Sequence, residues 1–383
     1  MKLRKDKWET VKLSEVCDKT SNVDIRKQSG KFNYIDIGSI NSSAKRISEI
    51  QDLDWSIASS RARQIVKKGD TLFSTVRVNL ERIAFVDKEI PNAIASTGFT
   101  VIRANEKATP EYLFYSTSSP FFIDKLCKLQ KGTAYPAVSD RIVFNEEIPL
   151  PPLEEQKQIA ALFQSIETGM EQVDGQEKNL HLLLQNLIND LISEGSKIRK
   201  GKLKKVVFGD ISNNISERAE PQNSIGQIFV GLDHIDSREI KIERFGKPDS
   251  LIGTKLKVYE GDIIFGKRNA YLRKAAISTF DGICSAHAMV LRANKKSIYK
   301  DYLPFFMHSD SFMIRAKEIS EGSISPTIKW KNLERQEFNI PEIEEQIKFT
   351  QVFKQIEEIR NQLKQQKTTL KNLKQKLLNE ILG

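Results

Sequence analysis

The chain carries one pattern twice, half its length apart. Residues 148–156 read Ile-Pro-Leu-Pro-Pro-Leu-Glu-Glu-Gln, and residues 338–346 read Phe-Asn-Ile-Pro-Glu-Ile-Glu-Glu-Gln, which places Pro151 and Pro341 190 residues apart in a chain of 383. Other matches keep the same order. Gly69-Asp70-Thr71-Leu72-Phe73 answers Gly261-Asp262-Ile263-Ile264-Phe265, and Ile102-Arg103-Ala104-Asn105 answers Leu291-Arg292-Ala293-Asn294. Glu111-Tyr112-Leu113 pairs with Asp301-Tyr302-Leu303, and Lys131-Gly132-Thr133 with Glu321-Gly322-Ser323. Coincidence among short apolar strings would not hold five matches in order at offsets of 189 to 192. Two copies at so long a period mean duplicated domains, not a solenoid of short repeats.

Length and composition agree with two domains plus extra elements. No apolar run approaches the ~20 residues that span a bilayer, and the opening Met1 to Lys7 lacks the apolar stretch of a secretory signal. Three scattered cysteines, Cys17, Cys127 and Cys284, argue against a disulfide framework and against a Cys-x-x-Cys metal site. A soluble, cytoplasmic protein with no membrane partner is the expectation. Net charge is +10, unevenly spread. Residues 1–150 carry 24 Lys+Arg against 19 Asp+Glu, 151–195 carry 2 against 8, 196–340 carry 26 against 17, and 341–383 carry 8 against 6. The positive excess therefore sits mainly on the two globular segments, where it suits a phosphate backbone. Ordinary solubilising lysine is the plainer alternative.

Four blocks emerge along the chain: globular 1–150, helical 151–194, globular 195–340 and helical 341–383. The first globular block mixes β-rich runs (Lys31 to Ile40, Thr71 to Val78, Arg82 to Val86, Gly98 to Arg103) with a helix near Pro110 to Gln130, interrupted at Ser118-Ser119-Pro120. The second repeats that order in Gln227 to Asp233, Asp262 to Gly266, Ala275 to Thr279, Ala288 to Arg292 and a helical Tyr299 to Ile319. Such irregular mixing predicts an α/β (mixed α+β) fold and not a doubly wound parallel sheet. In the helical blocks, apolar residues step in threes and fours. The first seam runs Ile159, Phe163, Ile166, Met170, Val173, Leu180, Leu184, Leu187 and Leu191, with Glu177 as its polar interruption. The second runs Val352, Ile356, Ile359, Leu363, Leu370, Leu373 and Leu377, with Gln366 polar. Each helix of about 40 residues would be ~60 Å long. The spacing predicts that the two pack on each other, antiparallel, as a spacer; pairing with a second chain is the competing reading.

The prolines and glutamates of the repeated motif suit helix starts, where proline lacks an N–H that would be orphaned anyway and acidic side chains meet the positive end of the helix dipole. The chain shows no recognised catalytic motif. Gly195 to Gly201 followed by Lys202 has five residues between glycines instead of four, and Leu203 stands where a phosphate loop needs Ser or Thr; a basic linker explains it better. His181, His234, His287 and His308 lack metal-ligand spacing, so neither a metal nor a cofactor is expected.

Taken together, the Pro-Leu-Pro-Pro-Leu-Glu-Glu-Gln string before a long helix, its degenerate second copy, the Gly-Asp-x-Leu/Ile-Phe strands and the Gly-Thr/Ser turns resemble the specificity subunits of type I restriction–modification systems. The resemblance runs from Trp8-Glu9-Thr10-Val11-Lys12-Leu13 through the last helix. It implies a non-catalytic reader of double-stranded DNA with two target-recognition domains, each reading half of an interrupted, asymmetric sequence, separated by two antiparallel helices. It also implies docking of two methyltransferase subunits on those helices, with restriction subunits in the full complex. Two rivals stand beside it: a non-enzymatic coiled-coil scaffold with basic interaction domains, and a metal-dependent nuclease with an unfamiliar site.

Base edges are read by side chains with paired donors or acceptors. The loop after each Gly-Asp strand is rich in them: Arg77, Asn79 and Arg82 in the first copy; Lys267, Arg268, Asn269, Tyr271, Arg273 and Lys274 in the second. Lys267-Arg268-Asn269 is the preferred base-reading cluster. The turns holding Lys131, Thr133 and Tyr135, and Ser323 and Ser325, can offer hydroxyls and backbone N–H groups to phosphates. A solvated loop face is the bland account of each residue. Gly266 has no counterpart between Ser74 and Ala84, which predicts a differently placed loop in the first copy.

Overall fold

The structure, a computed structural model, describes residues 3–224, 228–248 and 251–383. It divides into two compact units: the residues up to Val173 together with Gln365–Gly383, and Asp174–Lys364. The helical blocks are two 40-residue helices, Leu153–Ile192 (the central helix) and Ile343–Leu382 (the C-terminal helix). Each compact unit therefore holds one globular part and one end of each long helix.

In the first unit, Glu9–Lys12 pairs antiparallel with Glu147–Leu150, so the repeated motif begins as a strand closed against the start of the chain. A mixed four-stranded sheet follows the order Gln51–Asp54, Lys31–Ile35, Ala93–Ser96, Ala62–Ile65, with Lys31–Ile35 and Ala93–Ser96 parallel. A second, antiparallel sheet joins Phe99–Ile102, Thr71–Ser74 and Ile83–Phe85. The expected helix breaks where Ser118-Ser119-Pro120 predicts, into Pro110–Thr117 and Pro120–Leu129, each capped by a hydroxyl, Thr109 and Ser119. The second unit repeats these parts: Leu203–Val207 against Glu337–Pro341, a mixed sheet in which Ile228–Val230 and Gly282–Cys284 are parallel, an antiparallel sheet around Ile263–Phe265, and helices Leu303–Met307 and Asp310–Glu318. The fold is mixed α/β with an internal repeat.

The repeated residues are mostly joints. Asp70 is 1% exposed and takes a bidentate pair from Arg103 while accepting the Lys67 N–H; Asp262, equally buried, does the same with Arg292 and the Tyr259 N–H. A buried carboxylate is tolerable only with such full pairing. Gly69 and Gly261 precede them at φ +89, which suits glycine. Asn105 and Asn294 each donate to a carbonyl near the start of their own globular part, Glu15 and Asp210. The motif glutamines are the innermost joint. Gln156 accepts the Thr109 N–H and donates to the Lys107 and Pro151 carbonyls; Gln346 accepts the Tyr299 N–H and donates to the Pro341 carbonyl. Each ties the start of a long helix to the strand end before it and to the lead-in of the preceding helical pair.

Within each unit the two helix ends run antiparallel. In the first, Glu167 meets Lys374, and Leu370 lies against Gly169; Ile159 and Phe163 share a core with Leu378, Ile381 and Leu382. In the second, Leu184, Ile188 and Leu191 share a core with Phe349, Phe353 and Ile356. The first seam largely holds. The second needs correction: Val352, Ile359 and Leu373 are exposed, and Phe349, Phe353, Leu378 and Ile381 take the inner face. A buried arginine, Arg360, occupies a core position there and hides the stripe from apolar periodicity. Among the described residues no helix is long and apolar enough to cross a membrane.

Candidate nucleic-acid interface

The strands Thr71–Ser74 and Ile263–Phe265 each run into a single 3-10 turn, Val78–Leu80 or Ala270–Leu272. Left-handed residues flank both turns: Arg77 (φ 49) and Glu81 (φ 50), Asn269 (φ 57) and Arg273 (φ 50). Only Asn adopts this conformation with any ease, so the geometry must be held from outside. The clamp is the glycine turn from the other end of the unit. Arg77 N–H donates to the Pro136 carbonyl at 2.7 Å, and Asn269 N–H to the Pro326 carbonyl at 2.8 Å. Lys131 and Ala137 exchange both backbone bonds, as do Glu321 and Thr327, around Gly132 (φ 101) and Gly322 (φ 105). Val78 and Ala270, each 2% exposed, plug the turns into the core.

Each unit thus brings its two predicted loops together. The first-copy loop was expected to sit differently for want of a glycine at Ser74. It does not: Ser74 N–H reaches the Arg82 carbonyl as Gly266 N–H reaches that of Lys274, and Gly266 does not have positive φ. The two backbones match; the side chains do not.

In the first unit Arg77, Asn79, Lys131, Thr133 and Tyr135 are exposed. The Arg77 guanidinium lies 4.9 Å from the Tyr135 ring centroid and donates to the Ala134 carbonyl, which makes a flat cationic platform. In the second, Arg268, Tyr271 and Ser323 are exposed, and Arg268 donates to the Ser325 hydroxyl at 3.0 Å. Lys267 is half-buried, and burial pushes its ammonium below the ordinary lysine range. The Asn269 side-chain oxygen is buried with no partner. Three predicted residues turn inward instead. Arg82 donates to the Ile37 and Ile40 carbonyls, Lys274 to the Leu232 carbonyl, and Arg273 pairs with Asp310. Buried carbonyls need donors, and long basic side chains beside the turns supply them. Composition missed Ile324, 94% exposed at the tip of the second glycine turn; its placement between Ser323 and Ser325 was the available signal.

The described residues hold no cluster of three His, Cys, Asp or Glu able to bind a metal ion. The geometry offers two differently furnished polar surfaces on one scaffold, suited to hydrogen bonding with base edges and phosphates.

Comparison with known proteins gives a consistent result. A family model described as type I restriction modification DNA specificity domain matches residues 5–182 and 222–372. The MjaVIII specificity subunit of Methanocaldococcus jannaschii is 25% identical over 345 residues, covering 83% of this chain and 79% of that one. The HindI specificity subunit of Haemophilus influenzae is 29% identical over 129 residues, 33% of this chain and 27% of that one. Among solved structures, a chain from work on complex assembly and conformational transition of the type I R-M system is 26% identical with a TM-score of 0.66, covering 97% of both chains. The HsdS subunit from Thermoanaerobacter tengcongensis is 27% identical with a TM-score of 0.50, over 97% of this chain and 96% of that one.

Proposed function

We propose, from the premise that the chain belongs to the type I restriction–modification DNA specificity family, that its two turn clusters each read one half of an interrupted, asymmetric DNA target. Sequence specificity is the family's role, and the coiled-coil scaffold is not favoured. The observation that carries the bipartite reading is the contrast just described: one backbone, held twice by the same bonds, with Arg77, Asn79, Thr133 and Tyr135 on one copy and Lys267, Arg268, Asn269, Tyr271, Ser323 and Ser325 on the other. Different donors on like frames suit different half-sites.

The globular parts, 1–150 and 195–340, are the target-recognition domains, and the long helices act as spacer and docking platform. A stiff helical pair would set half-site spacing by geometry. The partners are double-stranded DNA, two methyltransferase subunits and, in the full complex, restriction subunits. The chain itself makes or breaks no bond; the bond-making belongs to those partners.

The test is selection of bound duplexes from a random library by the tagged chain with its native partners. Enrichment of an interrupted, asymmetric motif is expected. No enrichment at modest salt, with partners present, would refute sequence reading.

A further inference from the structure

Polar groups buried on the long helices of a reader need a reason to be there, and the second unit has a large one. Arg360, on the C-terminal helix, is 2% exposed in its side chain, the most buried guanidinium among the ion pairs of the described residues. Three carboxylates surround it. Nη2 donates to Glu177 of the central helix at 2.6 Å and to Glu239 at 2.7 Å, and Nη1 donates to Glu357 at 2.6 Å. Burial opposes the charge, but Glu357, Glu239 and Glu177 outweigh it and hold the guanidinium above its ordinary value.

Glu239 belongs to neither helix. It lies between Arg238, whose N–H donates to the carbonyl of Arg273, and Ile240, whose carbonyl accepts from Ile277 N–H. Arg273 is the left-handed residue closing the reading turn, and Ile277 ends the strand that follows. A second strut leaves the same residue: the Arg273 guanidinium pairs with Asp310, which exchanges two hydrogen bonds with Asn189 of the central helix. The turn that carries Arg268 and Asn269 is thus tied to both long helices within its own unit.

The first unit repeats the plan in weaker materials. Lys45, left-handed like Arg238, pairs with Glu81, which closes that reading turn, and its neighbour Arg46 pairs with Glu171 of the central helix. Arg46 follows a left-handed residue as Glu239 does, and its charge is the opposite one. Its ion pair is about half exposed on both sides, and pairs of that kind hold little.

We propose that Arg360 is a positioning residue for sequence reading, fixing through Glu239 the angle of the second reading turn against the helices, and hence the spacing at which that turn meets its half-site. This rests on the bipartite reading above. Breaking a buried charged pair is costly, unlike breaking a surface one, so the two units predict different outcomes.

Arg360→Met takes the shared cation from three carboxylates, of which Glu239 keeps Lys364 at 3.6 Å, and is expected to destabilise the unit, so Glu239→Ala is the decisive variant. It leaves Arg360 paired with Glu177 and Glu357. Wild type, Glu239→Ala, Glu239→Gln and Arg46→Ala chains, each with native partners, would be put through the duplex selection with half-site spacing randomised. Glu239→Ala is expected to enrich the same bases in both half-sites while discrimination between adjacent spacings falls on the order of ten-fold. Glu239→Gln retains an acceptor for Arg360 and is expected to recover most of that discrimination, and Arg46→Ala to match wild type. Unchanged spacing discrimination in Glu239→Ala, or an equal loss on all sequences, would overturn the proposal. Absence of any motif with wild type would instead overturn the bipartite reading itself.

Discussion

Replacing Gln156 by Leu asks how much of the fold hangs on the last residue of the repeated motif. Gln156 is 0% exposed and its carboxamide makes three bonds: the Thr109 N–H at 2.8 Å, the Lys107 carbonyl at 3.0 Å and the Pro151 carbonyl at 2.9 Å. Leucine fills similar volume, so little cavity cost enters. What remains is one N–H and two carbonyls stripped of their partner in a dry site. An unpaired buried group costs about 1–3 kcal/mol, and carbonyls, with a second lone pair, sit at the low end. The sum is about 3–5 kcal/mol, a large part of the ~5–15 kcal/mol that holds a typical domain. Gln346→Leu strands one N–H and one carbonyl, Tyr299 and Pro341, and should cost about 2–4 kcal/mol. Native-state hydrogen exchange is the right assay, because it separates the units. Protection of the Thr109 amide should fall in Gln156→Leu while that of the Tyr299 amide holds, and the reverse in Gln346→Leu. Gln156→Glu, which keeps the shape and the acceptor but loses the donor at neutral pH, should also destabilise. A cost below about 1 kcal/mol for Gln156→Leu would refute the account.

Three further outcomes are expected. His308 is 2% exposed, with one ring nitrogen on the Ala275 carbonyl and the other unpaired, and burial drives its pKa from 6.5 down to about 4. The unfolded chain then binds a proton that the folded chain refuses, so this stability is complete above pH 6.5 and lost as pH falls toward 4, at up to about 1.4 kcal/mol per pH unit; denaturation curves of His308→Gln should be flatter across that window. Arg268→Ala should cost about 1–3 kcal/mol and relax specificity in one half-site only, as read by duplex selection, whereas an equal loss on every sequence would mark a phosphate contact. Deleting matched turns from both long helices should shorten the unread gap between half-sites, and an unchanged gap would refute the spacer role.

The joints of this fold were legible because duplication copied them. Gly69-Asp70, Arg103, Asn105 and Gln156 reappear near a constant offset since each satisfies a buried backbone or charged group that both units share. Other features left no local trace. Glu9–Lys12 is short and mostly exposed, and its partner strand is more than 130 residues away, so no alternation betrays it. The inner face of the C-terminal helix was misjudged because Arg360, a charged residue, occupies a core position that apolar periodicity skips. In the candidate site the residue types were readable and their directions were not. Arg77 and Arg82 look equivalent on paper, yet one stacks on Tyr135 at the surface and the other caps two carbonyls. Orientation depended on partners distant in sequence, the glycine turn for Arg77 and the Ile37 and Ile40 carbonyls for Arg82.

The division of the chain also orders events at the ribosome. The second unit is continuous, Asp174–Lys364, whereas the first is completed by Gln365–Gly383, whose Leu378, Ile381 and Leu382 enter the core shared by Leu13, Phe73 and Phe163. The part translated first therefore cannot close its core until after the second unit has been made. A chain ending at Lys364 and released from the ribosome would carry a complete second unit and an unsealed first, with apolar surface open to chaperones. For most of its synthesis the first globular part is an open intermediate, and Gln365–Gly383, the end of the C-terminal helix, is what closes it.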